Sequence, residues 1–266
     1  MREVLEFTRI TLKQSTRLRS FYSAFVITLV SLIGLFVIYS FTMFEIPRIL
    51  ESYVLSCTNL IVLLMVFLTL FSLLQYDIDR KTLQYVIALP MRRRDYIVGR
   101  YLGIMFFSTI IAYGITFLFY PFLFFLMKQR PDAPFSVVRY FTYPVFLLAE
   151  VSLIISFALL FTALSTKSII SILSTVGVYF IGHSLDEVKE FLLGGYAQEI
   201  PLFSKILVKG AWYIFPNLSL FDVKLRMVYN LQFSFKEALM IVTYGIVYTI
   251  AVLVITCALF ERKEIL

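Results

Sequence analysis

Charge is scarce in this sequence: Asp, Glu, Lys and Arg make up 15% of the residues, where soluble domains carry about a quarter. Histidine occurs once, as His183, and no HExxH stretch is present, so a common zinc-hydrolase site cannot be assembled. There is no GxxxxGK(S/T) loop to cradle nucleotide phosphates and no GxSxG nucleophile elbow. The chain is therefore expected to be no enzyme itself, with no catalytic residue, metal or cofactor of its own. Cysteine is almost absent. Cys57 and Cys257 fall inside apolar runs and read as small buried hydrophobes, not as a disulfide or metal pair. A removable signal peptide is not expected, because the first 20 residues are charged throughout and the apolar run that follows is too long.

What is abundant is apolar surface. Hydrophobic residues reach 60%, including 28 Phe and 17 Tyr, and mean hydropathy is +0.88. A soluble fold of this size could not bury so much, whereas lipid can cover it. A spanning helix needs about 20 mostly apolar residues. Such stretches occur at 21–44, 53–76, 98–127, 140–164, 168–185 and 238–260, and Pro121 offers a bend in the long third one. The expected fold is all-α and polytopic: one transmembrane domain, 1–266, with six spans. Spans 1–2 occupy 21–76, spans 3–5 occupy 98–185, and span 6 occupies 238–260, with a short tail at 261–266.

Lys and Arg set the orientation. Fourteen lie in the segments on one side of these spans, four (Arg48, Lys128, Arg130 and Arg139) in the short loops of the other. The remaining six lie in a long loop, 186–237, balanced by six acidic residues. The asymmetry places both termini in the cytoplasm.

Three segments outside the spans have patterns of their own. Over 1–20, Arg2, Glu6, Arg9, Lys13 and Arg17 recur at helical spacing, leaving Val4, Leu5, Phe7, Leu12 and Leu18 largely on another face. That pattern predicts an amphipathic helix in the membrane interface. Within the cytoplasmic segment 77–97, Asp79 has the position of an N-cap, Leu83, Val86 and Ile87 form an apolar stripe, and Pro90 stops the helix. A stiff surface helix of this kind suits docking to a soluble partner more than simple anchoring. In the outer loop, Ser184 and Glu187 have capping-box spacing, and Gly194–Gly195 would end the helix they start. Leu202, Phe203, Ile206 and Leu207 suggest a second amphipathic helix, and Trp212, Tyr213 and Phe215 an interfacial aromatic cluster.

Two candidates lie inside the spans. Glu150 is an acidic residue deep in the fourth, where an ionised carboxylate costs roughly 2.5–3.5 kcal/mol. It reads either as a contact in a substrate path or as an interhelical hydrogen bond. Asn59 poses the same choice in the second span, and His183 reads as a polar residue at a span's outer end.

Across 77–100 the sequence resembles the permeases of type 2 ATP-binding-cassette exporters. There an acidic residue ends the second span and a GTL…LL…PxxR…GK pattern leads into the third. Asp77 and Asp79 stand for the acid, Lys81-Thr82-Leu83 for Gly-Thr-Leu, Leu89-Pro90 for Leu-Pro, Arg92 to Arg94 for the basic residue and Gly99-Arg100 for Gly-Lys. The six-span plan, the N-terminal interfacial helix and the helical outer loop are also similar. Residues 215–222 (FPNLSLFD), with Pro216, Asn217 and Asp222, look like a segment common in one branch of that family.

The resemblance implies a multi-pass protein of the plasma (inner) membrane, from a prokaryote, working as a homodimer with two separate ATPase subunits that hold the ATP and Mg. The coupling residues would be Asp77, Asp79, Arg80, Lys81, Thr82, Leu83, Tyr85, Val86, Ile87, Pro90 and Arg93. The expected activity is ATP-driven export of a lipid-linked, amphipathic or other small substrate. Membrane lipids and an envelope protein at the outer loop are further expected partners, and nucleic acid is not. Two alternatives stand beside it: a scaffold that relays ATPase motion to an envelope partner, and an ion-gradient-driven secondary transporter.

Overall fold

The computed structural model describes residues 2–41, 46–79, 93–128, 136–165, 167–193, 214–229 and 234–262, with single positions 210, 212 and 231 between them. Among these residues there are eight α-helices, one short 3-10 turn at Ser219–Phe221 and no strand. The helices, α1 to α8 in chain order, are Arg2–Thr16, Arg19–Phe41, Ile46–Asp79, Arg93–Lys128, Val137–Leu164, Ser168–Leu193, Lys224–Val228 and Phe235–Arg262. Six of them, α2 to α6 and α8, are long and apolar enough to cross a membrane. The protein is a polytopic all-α membrane protein.

Each expected span is contained in one helix, apart from residues 42–44 at the first span's end, which lie outside the described residues. Most helices outrun their apolar cores, because hydropathy marks only the lipid-crossing portion. Helix propagation continues wherever each added residue gains a backbone hydrogen bond. Thus α3 has 34 residues and α4 has 36. At about 1.5 Å per residue they reach roughly 50 Å, well beyond a hydrocarbon core of about 30 Å. The same continuity alters one expected boundary. Ser184 and Glu187 lie inside an unbroken α6 that ends at Leu193, so they do not cap a new helix. Asp79 is the last described residue of α3, and the helix it is expected to cap lies outside the described residues.

The centre of the bundle is α5. Within its most apolar stretch 78% of the residues are buried, against 22% for α2 and 17% for α8. It packs against α3, α4, α6 and α8. Lipid tails are as apolar as leucine, so association rests on close packing and hydrogen bonds between helices. Ser152 of α5 meets Thr249 of α8 at 3.0 Å, and Thr162 meets Ser171 of α6 at 3.1 Å. Tyr140 donates its hydroxyl to Thr116 O of α4 at 2.9 Å. Many other hydroxyls bond back to the carbonyl one turn earlier, as Thr58 does to Val54 and Thr256 to Val252. In a medium without water this satisfies them locally.

Candidate functional site

Antiparallel packing gathers the chemistry at two ends of the bundle. At the end that carries α1, the glycines Gly99 and Gly103 sit one turn apart on α4 and let α1 approach backbone to backbone. A Cβ at Gly99 would stand 2.7 Å from Phe7 Cβ, and one at Gly103 would stand 2.5 Å from Thr11 Cβ and 3.0 Å from Thr8 O. The inward face of α1 is therefore small and hydroxylated, with Thr11 and Ser15 fully buried. Leu5, on the apolar face expected to meet the membrane interface, is 68% exposed. Glu6, Arg9, Lys13 and Arg17 are exposed as their spacing predicts; the Arg2 side chain lies outside the described residues.

Arg100 is locked into the same contact. It is buried on α4, and its Nη1 donates to Gln14 Oε1 at 2.6 Å and Thr11 Oγ1 at 3.3 Å. Counted in the sequence as one of many positive anchors, it is a buried strut between two helices. Tyr96 extends the assembly, meeting Phe7 of α1 edge-on at 5.2 Å and stacking on Phe260 of α8 at 5.9 Å. Arg93 donates to the last carbonyls of α8, Phe260 O at 3.2 Å and Glu261 O at 3.3 Å, which complements the negative helix C-terminus. Arg94 makes a bidentate pair with the Glu261 carboxylate. The first turns of α4 thus clasp α1 on one side and α8 on the other. Asp77 and Asp79 belong to the last turn of α3. Arg80, Lys81, Thr82, Leu83, Tyr85, Val86, Ile87 and Pro90 lie outside the described residues.

Deeper in the bundle, on the side away from α1, Glu150 and His183 come together. Glu150 Oε1 of α5 lies 2.8 Å from His183 Nε2 of α6. The carboxylate side chain is 3% exposed and the imidazole 28%. The imidazole gives the buried carboxyl group a hydrogen-bond partner where no water is available. Tyr179 packs edge-on against the imidazole, 4.7 Å between centroids. Asn59 does not join this pair, and its buried Oδ1 has no hydrogen-bond partner among the described residues.

The segment 214–223 is stapled beside the pair. Asn217 Nδ2 donates to Asp186 Oδ1 at 2.7 Å, and Ser219 Oγ donates to the other carboxylate oxygen. Asn217 N–H donates to the Tyr244 hydroxyl at 3.0 Å, and the Tyr248 hydroxyl donates to Ile214 O at 2.7 Å. Pro216, Leu218, Phe221 and Val223 are buried. Gly182 permits this approach, since a Cβ there would lie 2.7 Å from Leu218 Cγ and 2.9 Å from Pro216 O. Asp222 stays largely exposed, 3.4 Å from Lys224 Nζ. Phe215 packs, half-buried, against the cluster of Phe157, Val178 and Val252, and Tyr213 of the expected aromatic cluster lies outside the described residues. Residues 202–207 lie outside the described residues.

Two further elements were not singled out in the sequence. The Gly99–Gly103 contact is a small-xxx-small spacing, a signal for close helix approach that was present but unused. Glu51 lies just outside the expected second span, yet it is buried on α3 and attracted electrostatically by Arg139 of α5. No protein-family model matches the chain, and no curated protein matches it significantly.

Proposed function

We propose that this chain is the transmembrane permease subunit of a type 2 ATP-binding-cassette exporter. Two copies pair in the inner membrane with both termini in the cytoplasm. Separate ATPase subunits, holding ATP and Mg, bind beneath them, and the cargo is lipid-linked, amphipathic or otherwise small. The observation that carries this reading is the clasp at the start of α4. The cytoplasmic segment 77–92 has the pattern of a docking helix, and it feeds directly into helix turns tied to both α1 and α8. A push delivered there reaches three helices at once, which a simple positive anchor does not require.

The deciding experiment is affinity purification of the tagged chain from its native membrane in mild detergent. An ATP-binding-cassette ATPase is expected to co-purify, and its absence would sink the proposal. Leu83→Asp and Ile87→Asp should release the ATPase or uncouple it while the permease still inserts. Retained, substrate-stimulated hydrolysis in both variants would refute the coupling role. The scaffold reading draws on one observation of its own, the hydrogen-bonded segment 214–223, which gives the far end a firm surface for an envelope partner. A secondary transporter would call for several ionisable groups along a path and paired broken helices. Here the buried Glu150 is hydrogen-bonded to His183, and the buried Glu51 lies within electrostatic reach of Arg139.

A further inference from the structure

Cations collect where lysine and arginine are otherwise sparse. Around the short helix α7 at the far end stand Arg48, Arg139, Lys224 and Arg226. Arg48 lies over the Tyr229 ring, 5.7 Å from its centroid. Arg139 donates weakly to Met227 O at 3.5 Å. Lys224 is paired with Asp222, and Arg139 is within electrostatic reach of the buried Glu51. Arg226 is exposed, and no carboxylate among the described residues pairs with it. The local balance is positive.

Two of these cations, Arg139 and Arg226, border an apolar groove of about 570 Å³ between the opening turns of α5 and α8. Its walls are Val138, Val145, Phe146, Leu239 and Val242, and Arg139 and Arg226 line it as well. The groove follows residues 138–146 and 235–242. At about 1.5 Å per residue it runs roughly 12 Å along the helices. Both helices are membrane spans, so its polar mouth lies at the headgroup level and its floor among acyl chains.

We propose that this groove holds an anionic membrane lipid, with the lipid phosphate between Arg139 and Arg226 and the start of one acyl chain along α5 and α8. The guanidinium fork suits a phosphate better than a lysine would. A free phosphate would gain nothing from the apolar walls, and a zwitterionic headgroup would bring its own cation against two arginines. The inference depends on the placement of the six spans in a bilayer and not on an ATPase partner, so it stands or falls apart from the exporter reading.

The test uses the full-length protein in nanodiscs of phosphatidylcholine doped with phosphatidylglycerol bearing a photoactivatable acyl chain. Cross-links are expected on the peptides containing Phe146 or Val242. Displacement should require unlabelled phosphatidylglycerol, with phosphatidylcholine and inorganic phosphate ineffective. Arg226→Gln should weaken labelling about fivefold, as expected for one interfacial cation. Arg226→Lys should restore part of it. Ala238→Trp, which fills the groove and leaves both arginines in place, should abolish labelling. Equal displacement by phosphatidylcholine, displacement by inorganic phosphate, or undiminished labelling in Arg226→Gln or Ala238→Trp would each overturn the proposal.

Discussion

The clasp between α1 and α4 makes a sharp demand on Gly103. A methyl group there would sit 2.5 Å from Thr11 Cβ, 2.8 Å from Thr11 Cγ2 and 3.0 Å from Thr8 O. Carbon atoms prefer about 3.5–4.0 Å, so α1 must retreat by roughly 1 Å. The obstructing atoms are rooted in the α1 backbone and cannot rotate aside. Overpacking of this kind costs about 1–3 kcal/mol, which raises the fraction of time α1 is undocked by about five- to a hundredfold. The 0% exposure of Thr11 and Ser15 in the docked state makes the change measurable.

Hydrogen–deuterium exchange in nanodiscs reads it directly. In Gly103→Ala the amides of 2–16 should lose protection by about that factor, while those of α5 keep theirs. Gly114→Ala on the same helix is the control, because nothing lies within 4 Å of a Cβ there. Unchanged protection in Gly103→Ala, or equal loss in Gly114→Ala, would refute the argument that close backbone approach holds α1 in place.

Three further outcomes follow from the same geometry. His183→Ala leaves the buried Glu150 without its partner and should cost about 3 kcal/mol in unfolding titrations; Glu150→Gln keeps a neutral hydrogen bond and should cost about 1 kcal/mol. Equal losses would mean that the carboxylate does not depend on the imidazole. Asp186→Ala removes the acceptor for both Asn217 and Ser219, so a cysteine introduced at buried Leu218 should become reactive to maleimide; continued protection would show that the apolar contacts of Leu218 and Phe221 suffice. Arg94→Ala should leave the melting temperature unchanged, because the Arg94–Glu261 pair is exposed and surface pairs contribute little. A clear drop would assign that pair a structural part in the clasp.

The six spans could be read from hydropathy because the lipid-crossing stretches differ so strongly from what flanks them. The packing between them could not. For α1, charge periodicity marks the exposed polar face, and the apolar residues beside it predict only a contact with the membrane interface, not which residues face the bundle. In lipid the tight surface is made by Thr8, Thr11 and Ser15 against glycines, since small residues allow approach and leucine gains nothing over an acyl chain. Glu150 and His183 were each visible as oddities. Their pairing needs α5 and α6 to meet across 33 positions of sequence, which no local pattern encodes. Glu51 escaped notice because the apolar run begins just after it, whereas the helix begins before it.

The two ends are joined most directly by α8, the least buried of the spans. Its Phe260 and Glu261 hold the opening turns of α4, and its Tyr244 and Tyr248 hold the segment 214–217. Between them, Thr249 bonds to Ser152 of α5, two residues from Glu150. α8 also packs closely along α5, through that bond and the approach of Gly245 to Ala149, so it cannot shift without repacking this contact. Force entering at the clasp would then reach the far-end segment through α8 and its contact with α5 together. Spatial continuity alone is no proof of coupling, but it specifies where two arrangements must differ: in the Tyr244 and Tyr248 hydrogen bonds and in the contact between α5 and α8.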